Sequence, residues 1–321
     1  MSLQNPWTKN KINANTNVAV SIHIPERFER EVSLHIFKNY FANIERSFKT
    51  PLILAISGAP GTGKTFQTTR VLETLNITPY IISGAEFEDE HAGIPVKNLR
   101  NQYIEISEDV YYNKNSKAAI IIEDIDAALG QWGGLVQYTM NRQLLIKTLI
   151  DFADNPYKIS YCNEDGNPIE HQTQRIPIIV TLNDETKMYE PLMRNGRCTI
   201  FPWIPSTEDM TNILRQIFHN TELEYIMDLV YDDLLRYAQS NINPNITTLP
   251  ISLFSDIKSS LYDDFIWGAF KSNKSFNEII ESFKDNLTLK DGFRSSFTMY
   301  DAISIGKKLL RKNKNYLSER N

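Results

Sequence analysis

The residues Gly58-Ala59-Pro60-Gly61-Thr62-Gly63-Lys64-Thr65 fit the spacing G-x-x-x-x-G-K-[ST], a loop that cradles phosphate groups. Glycine at 58, 61 and 63 lets the backbone wrap so that successive N–H groups converge on an anion. The helix that such a loop opens adds its positive dipole end. Lys64 supplies a charge for the β- and γ-phosphates, the Thr65 hydroxyl is a hard oxygen ligand for Mg²⁺, and Phe66 begins the helix. Farther on, the chain carries the carboxylate group Glu123-Asp124-Ile125-Asp126. Nucleotide hydrolysis needs such acids, one to hold a metal and one to orient water, together with positive charge for the transition state.

These residues work only if the chain positions them. The apolar run Pro51–Ser57 reads as a buried strand leading into the loop, and 66–75 as the helix leaving it, which is the context a phosphate loop requires. Strands are also predicted at 79–83, 118–122, 175–181 and 198–203, with helices at 25–41, 96–112 and 135–153 and a polar loop over 155–174. Apolar strands alternating with helices predict an α/β fold, a phosphate-loop parallel sheet sandwiched by helices. Ligands in such sheets bind beyond the carboxyl ends of the strands. The loop, Glu123-Asp124 and Asn183 all fall at such ends, so three distant segments are expected to converge. From residue 206 the strand signal stops, and helical patterns at 206–219, 223–239, 250–271, 275–285 and 297–316 predict an all-helical lid. The expected organisation is a flexible arm (1–20), a nucleotide-binding α/β domain (21–205) and a lid domain (206–321).

A length of 321 residues suits two domains, and the mixture of 41% hydrophobic and 23% charged residues is ordinary for a globular chain. The net charge of −5 argues against nucleic acid as the main partner. Cys162 and Cys198 are the only cysteines, too few for a disulfide scaffold. No apolar run reaches the roughly 18 residues that span a bilayer. The Asn-rich start has no signal-peptide core, so a cytoplasmic protein without membrane contact is expected. The histidines at 23, 35, 91, 171 and 219 lack metal-ligand spacing. The basic run Lys307, Lys308, Arg311, Lys312 and Lys314 reads as a solvated helix end.

The strand ending Ile120–Asp126 resembles the acidic strand of AAA+ ATPases, which usually ends Asp-Glu. The first acid there holds Mg²⁺ and the second polarises water. By that likeness Glu123 takes the metal side and Asp124 the water side, with the usual order of lengths reversed. Asn183 resembles the sensor that hydrogen-bonds the γ-phosphate or the attacking water. Pro191-Leu-Met-Arg-Asn-Gly-Arg197 resembles the arginine-finger segment, which implies that Arg194 and Arg197 reach the nucleotide of a neighbouring subunit.

Ser83–Arg100, Asp124–Ala127, Gly133-Gly134, 137–141, 153–156 and 177–197 resemble the Rubisco activases more specifically, as do Tyr262–Asp264 and Tyr316–Glu319 in the lid. The resemblance implies ATP and Mg²⁺ as cofactors and a homo-oligomeric ring, a hexamer. Loops at 84–94, 128–136 and 155–174 would line its central pore, with Trp132, Gly133 and Gly134 as partner contacts. It also implies a protein substrate, with Rubisco freed of inhibitory sugar phosphates as the leading case. An oligomeric switch or adaptor acting on another protein remains the alternative, with a nucleic-acid-linked ATPase behind it. The likeness is to a divergent, bacterial-type activase without the plant N-terminal domain and redox tail. In the lid, Lys258-Ser-Ser260 stands where the family has Arg-x-Arg, so Lys258 is the residue available to replace the first arginine.

Overall fold

In the computed structural model the described residues are 23–87, 91, 93–113, 116–126, 136–162, 167–219, 221–271, 275–278, 280–281 and 297–312. The arm, with Trp7, and the expected contacts Trp132, Gly133 and Gly134 lie outside them. In chain order the first part runs α1 (Glu26–Ile44), β1 (Ile53–Ser57), α2 (Lys64–Thr74), β2 (Thr78–Ser83), α3 (Ile94–Tyr112), β3 (Ala118–Glu123) and α4 (Val136–Asp154). It continues with β4 (Lys158–Cys162), β5 (Pro168–Gln172), β6 (Ile178–Leu182) and β7 (Cys198–Pro202). The helices α5 (Thr207–Ile217), α6 (Met227–Asn241), α7 (Ile251–Lys271) and α8 (Met299–Lys312) follow.

Five strands form one parallel sheet in the order β2-β3-β6-β1-β7. The nearly unbroken apolar runs of β1, β3 and β6 are explained by helices on both faces. Successive strand side chains point to opposite sides. Leu54 and Ile56 of β1, Ala119 and Ile121 of β3, and Ile179 of β6 pack with Phe28, Val32 and Ile36 of α1 and Val71 and Leu72 of α2. Their neighbours Ile53, Ala55, Ile120, Ile122, Ile178 and Val180 pack with Leu99, Tyr103 and Ile106 of α3 and Leu145, Leu149 and Phe152 of α4. A strand buried on both faces cannot show polar alternation, and β1, with five buried residues of five, shows none.

The stretch 155–174 is a correction to the loop expected there, because it contains the antiparallel hairpin β4–β5. Its apolar residues Ile159, Tyr161 and Ile169 alternate with polar ones, the pattern of a half-exposed ribbon, and the polar count hides it. Lys158 pairs with Glu170 at 2.8 Å, and Tyr161 stacks on His171 with ring centres 5.9 Å apart. At the hairpin base the Tyr157 hydroxyl donates to the Ala42 carbonyl at the end of α1, and the Thr173 N–H donates to the Tyr157 carbonyl at 2.9 Å. The base therefore lies near the amino ends of the strands.

Among the described residues the chain divides into two compact units, Ile24–Ala59 with Lys64–Ile204, and Pro60–Gly63 with the residues from Pro205 onward. The second unit is helical beyond Ser206, whose side chain and that of Asp209 cap α5 reciprocally. Its core is Leu214, Phe218, Leu234, Phe254, Ile257, Ala302 and Leu310. Part of the basic run on α8 is packed here rather than free: Lys307 pairs with Asp233 at 2.8 Å, and Arg311 donates to the Tyr237 hydroxyl at 2.6 Å. Lys258 donates to the Ile217 carbonyl at the end of α5, so its amine is engaged within the helical core. Among the described residues no helix is long and apolar enough to cross a membrane.

Candidate functional site

Strand register decides which residues meet. Ser57, the last residue of β1, pairs with Leu182 of β6, so Gly58 and Asn183 emerge side by side. Ile122 of β3 pairs with Val180 of β6, which brings Glu123 to the same edge. β7 closes the other side of β1, where the Trp203 N–H donates to the Ser57 carbonyl at 2.7 Å. The Trp203 carbonyl then passes so near Gly58 that a Cβ there would sit 2.4 Å from its oxygen. That close approach explains the first glycine of the motif. Gly61 and Gly63 have φ of 73° and 78°, left-handed backbone that other residues adopt only with strain. Lys64 opens α2, and Phe66 stands half-exposed on that helix with the Arg70 guanidinium 5.2 Å from its ring centre.

Lys64 is 6% exposed, and its Nζ donates to the carbonyls of Gly58 at 2.7 Å and Ala59 at 3.1 Å. A third bond, 3.0 Å long, runs to Asn183 Oδ1. Folding therefore joins the lysine to the asparagine across 119 residues of sequence. The amine lies curled back on the Gly58 and Ala59 carbonyls at the end of β1.

The acid pair is asymmetric. Glu123 is half-buried, and desolvation raises its carboxyl above the usual range. The hydrogen bond from the Thr65 hydroxyl opposes that shift, and the negative charge of Asp124 adds to it. Asp124 is exposed, with φ of 47°, and its N–H donates to the Thr181 hydroxyl at 3.1 Å. A non-glycine residue held left-handed stores strain on the order of 1–3 kcal/mol, and such strain clusters at functional positions. Thr65 and Glu123, already in contact, offer two hard oxygens. That donor set fits Mg²⁺, which takes few protein ligands and fills its shell with phosphates and water. Asp124 faces solvent.

Arg194 and Arg197 do not join this cluster. Cys198 pairs with Ile53, and the Ile53 N–H donates to the Arg197 carbonyl at 3.1 Å, so the arginine segment lies at the amino end of β1. The phosphate loop leaves the other end. Five strand residues separate them, roughly 16 Å along the sheet.

Sequence reading did not single out Thr181, Asp126 and Asp154. Asp126 is 4% exposed, and its Oδ2 accepts the Asn183 N–H at 3.1 Å, tying the acid segment to the asparagine. Its Oδ1 is buried without a hydrogen-bond partner among the described residues. Thr181 alternates with Val180 along β6, and a hydroxyl on a strand buried on both faces is the signal that could have found it. Among the described residues no group of three or more His, Cys, Asp or Glu could hold a metal.

Comparison with known proteins bears on the same residues. The model of the AAA family, the ATPase family associated with various cellular activities, matches residues 54–206. The chain is 34% identical over 256 residues to the chloroplastic ribulose bisphosphate carboxylase/oxygenase activase of Zea mays, across 77% of this chain and 53% of that protein. It is 36% identical over 255 residues to the activase of a Nostoc species, across 77% and 56% of the two chains. With the Chlamydomonas reinhardtii activase the identity is 32% over 254 residues, across 78% and 57%. The chain spans about half the length of the curated relatives it matches. The family match begins on β1 and ends just past β7, taking in the five-stranded sheet, so residues 54–206 form an AAA ATPase domain.

Proposed function

We propose that this protein is an ATP-driven remodeller of the Rubisco-activase type, working as a homo-oligomeric ring, a hexamer, with residues 206–321 as its lid. The single observation that carries the reading is the separation of the finger segment from the phosphate loop. Arg194 and Arg197 sit at the opposite end of the strand that delivers Lys64. A cation there can serve a nucleotide only on another copy, and a head-to-tail contact of this kind gives a ring when its rotation closes. In each site the loop N–H groups and Lys64 hold the triphosphate, Thr65 and Glu123 hold Mg²⁺, Asp124 orients water and Asn183 reads the γ-phosphate. Bound ATP would supply the phosphoryl group, and a metal held by Thr65 and Glu123 would supply positive charge for the departing phosphate.

The protein partner follows from the likeness to the activases, which makes Rubisco with a tight-binding sugar phosphate in its sites the first substrate to try. Release of that sugar phosphate only when ATP and this protein are both present is the expected result. Equal ATP turnover with and without Rubisco, and no release, would point instead to a switch or adaptor acting on another protein. The acidic chain gives DNA and RNA the role of negative controls.

The acid pair gives a second test. Glu123→Gln is expected to raise the Mg²⁺ concentration needed for turnover. It should also flatten the pH dependence of that requirement, because the lost carboxyl is the one raised by desolvation. In the native chain protonation competes with the metal, so Mg²⁺ affinity falls as pH drops towards the raised value and is full above it. Asp124→Asn should leave the Mg²⁺ titration in place and reduce turnover by about 10²–10⁴, the usual worth of a positioned base. Superimposable titrations for the two variants would abolish the distinction between their roles.

A further inference from the structure

The two arginines of the finger segment differ in what they already hold. Arg197 Nε donates to Asp154 Oδ1 at 2.6 Å and Nη2 to Asp154 Oδ2 at 2.7 Å, a fork-to-fork pair. Nη1 donates to the Pro191 carbonyl at 2.7 Å. All three nitrogens of the guanidinium are thus engaged within one chain, two on the last residue of α4 and one on the start of the finger segment. The backbone is pinned as well, since the Arg197 carbonyl accepts from Ile53 and its N–H donates to the Arg194 carbonyl at 3.1 Å. Arg194 is exposed, and among the described residues its side chain makes no hydrogen bond or ion pair.

Both line a cleft of about 720 Å³ with Arg46, Lys49 and Arg175, where Asp154 is the one carboxylate among the lining residues. Arg197 neutralises it. An anion entering this cleft therefore meets Arg194 beside a carboxylate that is exposed but already paired. If Arg197 left to reach such an anion, the Asp154 carboxylate would stand bare beside it and repel it. The short tether from 194 to 197 then fixes where Arg194 can point.

We propose that Arg194 is the group that reaches the nucleotide of the neighbouring subunit, and that Arg197 is a positioning residue whose task is to hold the segment and quench Asp154. This assignment rests on the ring reading above. Asp154 becomes part of the same device, although it touches no substrate.

The test is a double-variant cycle read by ATP turnover, at a protein concentration where every variant is shown by mass to assemble. Arg194→Ala should lose roughly 10³-fold or more in turnover, the scale of a lost finger, with little change in KM. Asp154→Ala should show a smaller loss from release of the clamp, Arg197→Ala a larger one because it also leaves the Asp154 carboxylate bare, and the double variant should recover to the Asp154→Ala level. Asp154→Asn, which keeps an acceptor and the local shape, should lose less than Asp154→Ala and guards against a folding defect. Wild-type turnover in Asp154→Ala, with Arg197→Ala as damaged as Arg194→Ala, would overturn the assignment and leave the ring standing. The ring reading fails separately if Arg194→Ala chains mixed with Lys64→Ala chains recover no activity, and the assignment then falls with it.

Discussion

Lys64→Ala is expected to reduce ATP turnover by at least about a hundredfold, the scale seen when one preorganised donor to a developing anion is removed, and to weaken nucleotide binding too. The argument is geometric. Burial leaves Lys64 6% exposed as a residue, its amine at the end of a stem rooted in the first turn of α2. Its bonds to the Gly58 and Ala59 carbonyls and to Asn183 hold it at the loop mouth, already stripped of most of its water. A charge desolvated in advance interacts with phosphate far more strongly than a surface lysine does. Alanine removes that charge and also frees Asn183 Oδ1, so Asn183 loses an anchor at the same time. Stopped-flow binding of a fluorescent ATP analogue and steady-state phosphate release separate the two effects. Native turnover in this variant would remove the loop from the chemistry.

The machine was more legible in the sequence than its geometry. The phosphate loop could be read because its residue types and its strand-to-helix context are both local, and the strands because β1, β3 and β6 are too apolar to be anything but buried. The pairing of Lys64 with Asn183 could be expected only as convergence at one sheet edge, since register lies outside any local pattern. The hairpin at 158–172 was missed for the opposite reason. Its alternation is local, but short and diluted by polar residues on an exposed ribbon. Thr181 and Asp154 were invisible, and Asp126 was visible only as part of an acidic run, because each matters through one partner far along the chain: Asp124, Arg197 and Asn183 respectively. Lys258, standing where the family pattern has the first lid arginine, donates to the Ile217 carbonyl, a contact that no local pattern foretells.

Turnover per chain is expected to rise with protein concentration and to level off once assembly is complete. A site whose transition-state charge comes from another copy is incomplete in the monomer, and in related nucleotide hydrolases such a charge contributes roughly 10³–10⁵ in rate. The amino-end position of Arg194, at the far end of β1 from Lys64, is what motivates this. Mixing sharpens it. Lys64→Ala chains have a broken loop and an intact finger, and Arg194→Ala chains the reverse, so each alone is inactive. In a ring assembled at random from equal amounts, a working interface needs an Arg194→Ala loop facing a Lys64→Ala finger. That arrangement occurs at about one interface in four for a head-to-tail contact. Recovery should therefore approach about a quarter of native turnover per chain, and it should disappear on dilution below the assembly range. Turnover independent of concentration, with no recovery on mixing, would mean that the site is complete within one chain and that the far arginines serve something other than hydrolysis.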